Sequence, residues 1–179
     1  FGEDDMQEQI VKFIKNSSLE VEELNLGDDF NEAASSHEII MNGSIAKSLS
    51  QYYKTEKEKL HPFTISRIEA GFPVSAKQYI ESIENAKKMQ QTLNKIFNKF
   101  DAIITPAAPG QAPRDLMNTG NAIFNGYWTM MGVPAISLPL LKGKDSLPIG
   151  VQIITSWNED FKLLKIAEYI LQETKKLAD

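Results

Sequence analysis

The feature that most constrains this chain is the window 101–150, which is rich in proline and glycine yet poor in charge. It holds six of the eight prolines and six of the ten glycines. Its charged residues are Asp101, Arg114, Asp115, Lys142, Lys144 and Asp145, six in fifty, against 37 in the other 129. A flexible linker is polar and solvated. A stretch that sheds charge while punctuating itself with turns reads instead as buried strands and site-forming loops. Three apolar runs inside or bordering it fit strands: Asp101 to Pro106, Ala135 to Pro139 and Ile149 to Ile154.

The flanks read differently. Residues 1–100 are charged and helix-like. Met6, Ile10, Phe13 and Ile14 recur at helical steps over 4–15. Val21 and Leu24 alternate with acids and predict a short edge strand. Asp28 or Asp29 is placed to cap a long helix from about residue 30 to 59, which Pro62 ends. Ser75 and Gln78 have capping-box spacing. The helix they open carries Tyr79, Ile80, Ile83, Ala86, Leu93, Ile96, Phe97 and Phe100 on one broad face. Asp160 is placed to cap a last helix with Leu163, Leu164, Ala167, Ile170 and Leu171 inward. Helices alternating with short apolar strands predict an α/β layer structure. The expected organisation is a single domain over 1–179: 1–100 mainly helical, 101–155 strands and pocket loops, 160–178 a C-terminal helix. No internal repeat or low-complexity tract interrupts it.

Composition excludes several functions. The net charge of −5 leaves no basic stripe for a phosphate backbone, so no nucleic-acid partner is expected. No apolar run approaches a membrane span, so no membrane partner is expected. The chain has no cysteine, which removes disulfides, thiolate nucleophiles and zinc–thiolate sites. A cytoplasmic location fits that usage, and no basic, apolar leader opens the chain. The first residue is Phe1 rather than methionine, so a chain cut from something longer is expected.

Common catalytic motifs fail on inspection. His37 and His61 have no partner at metal-ligand spacing and read as surface or packing groups. Asn42-Gly43-Ser44 lies in a predicted helix, where a nucleophile elbow does not form. Gly143-Lys144-Asp145-Ser146 lacks both the earlier glycine and the hydroxyl after lysine that a phosphate loop needs, and reads as a solvated hairpin turn. The pairs Asp4-Asp5 and Asp28-Asp29 read as helix N-terminal charge. From chemistry alone, no complete catalytic set and no metal site is present.

The low-charge window does carry a longer pattern: DAIITPAAPGQAP at 101–113, TGNAIFNGYWTMMGVPAISLPL at 119–140, and LPIGVQIITSWNEDFKLLKIAEYI at 147–170. In this order the three pieces resemble the C-terminal part of the amidase signature family, serine hydrolases and amidotransferases acting on carboxamides. Arg67, Gly71 and Tyr79 stand where that family often has Arg, Gly and Tyr. The chain departs from the pattern at Asn121-Ala122, where many relatives have Asp-Pro. It departs again at Ser82 and Ala86, which replace an Ala and an Arg.

The resemblance implies an α/β fold, the C-terminal part of the amidase signature fold, with a mixed sheet flanked by helices. It implies serine, cis-serine and lysine chemistry without a cofactor. Those groups belong to a Gly/Ser-rich half that has no counterpart in this sequence, so no catalytic residue is expected in this chain. It implies an amide substrate, with Asn121, Phe124, Asn125 and Trp128 lining the acyl side of the pocket. Gly132, Pro134 and Gly150 are implied as backbone geometry and Gln152 as a structural brace. Phe124 and Trp128 also fit plain core packing. The implied partner is the missing N-terminal catalytic half; the alternatives are a non-catalytic pseudo-enzyme or binding module, or a structural half that completes an amidotransferase site. A sheet cut through its middle leaves open edges and apolar surface, exposed or hidden by self-association.

Overall fold

The computed structural model describes residues 4–176. They fall into two compact units, one of residues up to Asn25 together with Leu93 onward, the other of Leu26–Thr92. The boundary lies inside a helix.

The first unit is built on three strands, β1 (Ile103–Pro106), β2 (Ala135–Lys142) and β3 (Pro148–Ile154). Their order is β1-β3-β2 and both pairings are antiparallel. Thr105 and Ser137 both face Gln152 in register. β2 is irregular between Leu138 and Leu141, where Pro139 has no N–H for the ladder. The β2–β3 turn closes through Gly143 N–H to the Leu147 carbonyl at 2.8 Å, the hairpin read from the sequence. Central β3 is buried from Val151 to Ile154, an apolar run interrupted by one buried amide, Gln152.

Helices α1 (Asp4–Asn16) and α6 (Asp160–Lys176) supply the rest of the core. Met6, Leu163, Ala167 and Ile170 pack with Leu138, Leu141, Ile149, Val151 and Ile153. The inward stripe of α6 steps by four and three residues. Leu164 and Leu171 were expected inward, but 100° per residue carries them off that stripe, and they are 58% and 37% exposed. The first helical bond of α6 is accepted by the Glu159 carbonyl, so Asp160 is not the cap expected of it but sits inside the first turn, one residue past the cap position. Its charge still suits the helix dipole there. The expected strand at Val21–Leu24 is irregular backbone, and Val21 is exposed. Among the described residues no strand pairs with it, and alternation alone does not hold a strand.

The helical unit contains α2 (Ala33–Thr55), α3 (Pro62–Gly71) and most of α4 (Ala76–Phe97). The capping box is as expected: Ser75 Oγ accepts from Gln78 N–H at 3.2 Å, and Gln78 Oε1 accepts from Ser75 N–H at 3.0 Å. The Asp29 cap is not. Its carboxylate is taken by Lys88 Nζ at 2.8 Å and Thr92 Oγ1 at 2.7 Å, while residues 28–30 form a 3-10 turn and α2 starts at Ala33. Pro62 ends nothing; it opens α3, where its missing N–H is an orphan position anyway. On α4, Ser82, Ala86, Met89 and Leu93 are buried, whereas Ile80 is exposed. Among the described residues no helix is long and apolar enough to cross a membrane.

Candidate functional site

The implied pocket residues gather around α5 (Ile123–Met131), the one helix of the low-charge window. Asn121 Oδ1 accepts from Ile123 N–H at 3.0 Å, which satisfies an orphan donor where the chain turns into the helix. Gly132 ends it at φ 67°, with its own N–H on the Thr129 carbonyl and Val133 N–H on the Trp128 carbonyl. Pro134 then passes the chain to β2, its carbonyl accepting from Thr155 N–H at 3.2 Å. Gly132 and Pro134 therefore act through backbone geometry.

One polar relay joins α5 to the sheet. Asn125 Nδ2 donates to the Ala107 carbonyl at 3.1 Å. Gln152 Nε2 donates to Asn125 Oδ1 at 2.9 Å. Thr105 Oγ1 donates to Gln152 Oε1 at 3.4 Å. Gln152 is 6% exposed, and a buried amide needs such partners. Gly150 is required nearby: a Cβ there would overlap Ser137 Oγ and stand 2.9 Å from Ala107 Cβ. Its carbonyl accepts from Ala107 N–H at 2.9 Å.

The structure thus brings Asn125, Gln152 and Gly150 together. Trp128 is buried on the same helix and Phe124 is half-buried. Asn121 is exposed at the helix start. Thr105 and Ala107 were not anticipated. Thr105 is betrayed only by its register with Gln152. Ala107 contributes a carbonyl, which no side-chain pattern can signal.

The loop from β1 to α5 is tied down a second time. Arg114 pairs with Asp145 in the β2–β3 turn at 2.8 Å, and Asp145 N–H donates to Gln111 Oε1 at 3.1 Å. The Asp145 carboxyl is held below its ordinary value by the Arg114 hydrogen bond first, then by Gln111. At the loop tip Leu116 and Met117 are 98% and 84% exposed. Phe161 on α6 is exposed as well, so apolar surface is displayed.

In the helical unit, Arg67, Gly71 and Tyr79 hold helices together. Arg67 reaches Asn42 Oδ1 at 3.5 Å and Glu38 at 3.4 Å, and the Tyr79 hydroxyl lies 3.0 Å from Ser44 Oγ. Among the described residues no three His, Asp or Glu side chains gather as a metal site.

Comparison with known proteins bears on the family and the fold. The family model for Amidase matches residues 9–164. The chain is 31% identical over 144 residues to the A subunit of glutamyl-tRNA(Gln) amidotransferase from Clostridium botulinum (strain Eklund 17B / Type B), covering 74% of this chain and 30% of that protein. An amidase crystal structure superposes with TM-score 0.79 at 20% identity, over 90% of this chain and 40% of that one. An inhibitor-bound vestigial complex tied to the origins of an s-triazine catabolic enzyme superposes with TM-score 0.83 at 18% identity, over 97% and 40%. These two likenesses show a shared fold. The chain spans less than half the length of each of these relatives. With the family model matching most of its residues, this chain belongs to the amidase family.

Proposed function

We infer that this chain forms the C-terminal, substrate-pocket portion of an amidase that hydrolyses a carboxamide C–N bond. The nucleophilic serine, the cis-serine and the base lysine belong to the rest of the protein. The observation that carries this reading is the family match over residues 9–164 of a chain that spans only 30% of its curated relative. The Asn125–Gln152 relay supports it, because carboxamide groups at the root of the loop suit an uncharged amide substrate. In the complete protein an attacking hydroxyl would form the acyl-enzyme and expel the amine, and water would then release the acid. Phe124 and Trp128 shape the acyl side, Asn125 and Asn121 supply polar contacts, and the exposed apolar surface is covered by the catalytic half or by self-association.

The test uses a serine-directed fluorophosphonate probe and an ammonia-release assay. The full-length protein is labelled and releases ammonia from simple aliphatic amides, and the 179-residue chain does neither. Stoichiometric labelling of the chain alone would refute the assignment. A second reading, that the portion completes an amidotransferase site, draws on the curated relative's name. Ammonia passed to an acyl acceptor rather than released distinguishes it.

A further inference from the structure

We propose that Gln152 is a positioning residue for this pocket, holding the Asn125 carboxamide in place the way round that the Ala107 carbonyl sets. The proposal rests on the amidase reading above. The oxygen and nitrogen ends of a carboxamide are nearly the same in shape, so packing does not choose between its two orientations; hydrogen bonding does. The Ala107 carbonyl can only accept, and Asn125 Nδ2 donates to it at 3.1 Å. That turns Asn125 Oδ1 toward the sheet, where it needs a donor. Gln152 Nε2 supplies one at 2.9 Å.

Gln152 is oriented by Asn125 Oδ1, which can only accept, so its own Oε1 turns toward β1. Its Oε1 accepts from Thr105 Oγ1 at 3.4 Å, a hydroxyl that also lies 3.2 Å from the Pro106 carbonyl. The donor sense therefore runs one way, from β1 through β3 to α5, and ends on a main-chain carbonyl that no side-chain substitution reverses. Asn125 keeps one N–H and one oxygen lone pair outside the relay. The relay decides which of its ends carries each. Gln152 itself is 6% exposed, so it acts through Asn125 rather than by touching substrate.

The variants are Gln152→Met, Gln152→Glu and Gln152→His in the full-length protein. Each is followed by steady-state ammonia release from hexanamide, by thermal melting, and by the side-chain amide resonances of Asn125. Glutamate places an acceptor where a donor is needed. We expect KM to rise about tenfold in Gln152→Glu with kcat changed less than about twofold, the effect of losing one oriented hydrogen bond. Gln152→Met should fall between. Gln152→His keeps a ring N–H at similar reach and should recover most of the KM. The Asn125 resonances should move in the first two variants and stay near wild type in the third.

A wild-type KM with unmoved Asn125 resonances in folded Gln152→Glu overturns the proposal. So does a lowered melting temperature with unchanged kinetics. Should Gln152→Glu fail to fold, Gln152→His and Thr105→Val carry the test: the latter removes the donor one step back, and unmoved Asn125 resonances and KM in it refute the relay. If wild-type protein releases no ammonia, the amidase reading fails, and the Asn125 resonances still judge the positioning by themselves.

Discussion

Replacing Gly71 by alanine sets two physical effects against each other. Gly71 is the last residue of α3. On helix propensity, alanine should stabilise by up to about 1 kcal/mol. Sterics say the opposite. A Cβ at position 71 would overlap the Asn42 carbonyl oxygen, and would stand 2.6 Å from Ala46 Cβ and 2.7 Å from the Asn42 carbonyl carbon. Carbon pairs normally rest about 3.5–4.0 Å apart, so α3 must lift from α2 by about 1 Å. Neither obstacle is a flexible side chain that can swing away. Overpacking of this kind costs roughly 1–3 kcal/mol, and the upper end applies against main-chain atoms. Less the propensity gain, the net loss is about 2 kcal/mol. For a chain of this size that is a fall in melting temperature of about 4–8 °C. Urea and thermal unfolding followed by far-UV circular dichroism measure both. Adding Ala46→Gly should recover only part, because the Asn42 carbonyl stays. An unchanged or raised midpoint in Gly71→Ala would refute the close approach of the two helices.

Three further outcomes are expected. Gly132→Ala should cost about 1–2 kcal/mol in unfolding free energy, because φ 67° is left-handed and the room around a Cβ there brings no relief; Gly132→Asn should cost less. Ser75→Ala should cost about 1 kcal/mol by dissolving the capping box, with Gln78→Ala non-additive when the two are combined. The Asp145 carboxyl titrates below its ordinary 3.8 when folded, so its pairing stabilises fully above the unfolded value and is lost as pH falls through the folded one. Arg114→Ala should raise the Asp145 pKa in a carboxyl-carbon NMR titration; an unmoved value contradicts the pairing.

The legible part of the sequence was mostly local. Ser75 and Gln78 find each other three residues apart, so their box could be read directly. The three strands were marked by apolar runs and their prolines. Distant competition was not legible. Asp29 is a good cap by type, but Lys88 and Thr92 claim its carboxylate from far along the chain. Pro62 illustrates a second limit. The missing N–H that stops one helix is harmless in the first turn of the next, so the same residue ends or begins a helix according to the residues on its C-terminal side. Of the site, the residue types on α5 were legible. The relay was not, because its ends lie on β1 and on a main-chain carbonyl.

The relay also accounts for the neutrality of two positions, Asn125 inside the window and Gln152 just beyond it. At 6% exposure a carboxylate in place of Gln152 would have to shed its water, a cost that an ion pair repays only with excellent geometry. It would also present acceptors alone, where Asn125 Oδ1 requires a donor. A lysine would supply the donor, but it has no acceptor for Thr105 Oγ1. A neutral amide both gives and takes at that depth, and Asn125 does the same between Gln152 and Ala107. Neutrality at these two positions is therefore a consequence of how three elements are joined, and a charged substitution at either amide should be worse than an apolar one of equal size.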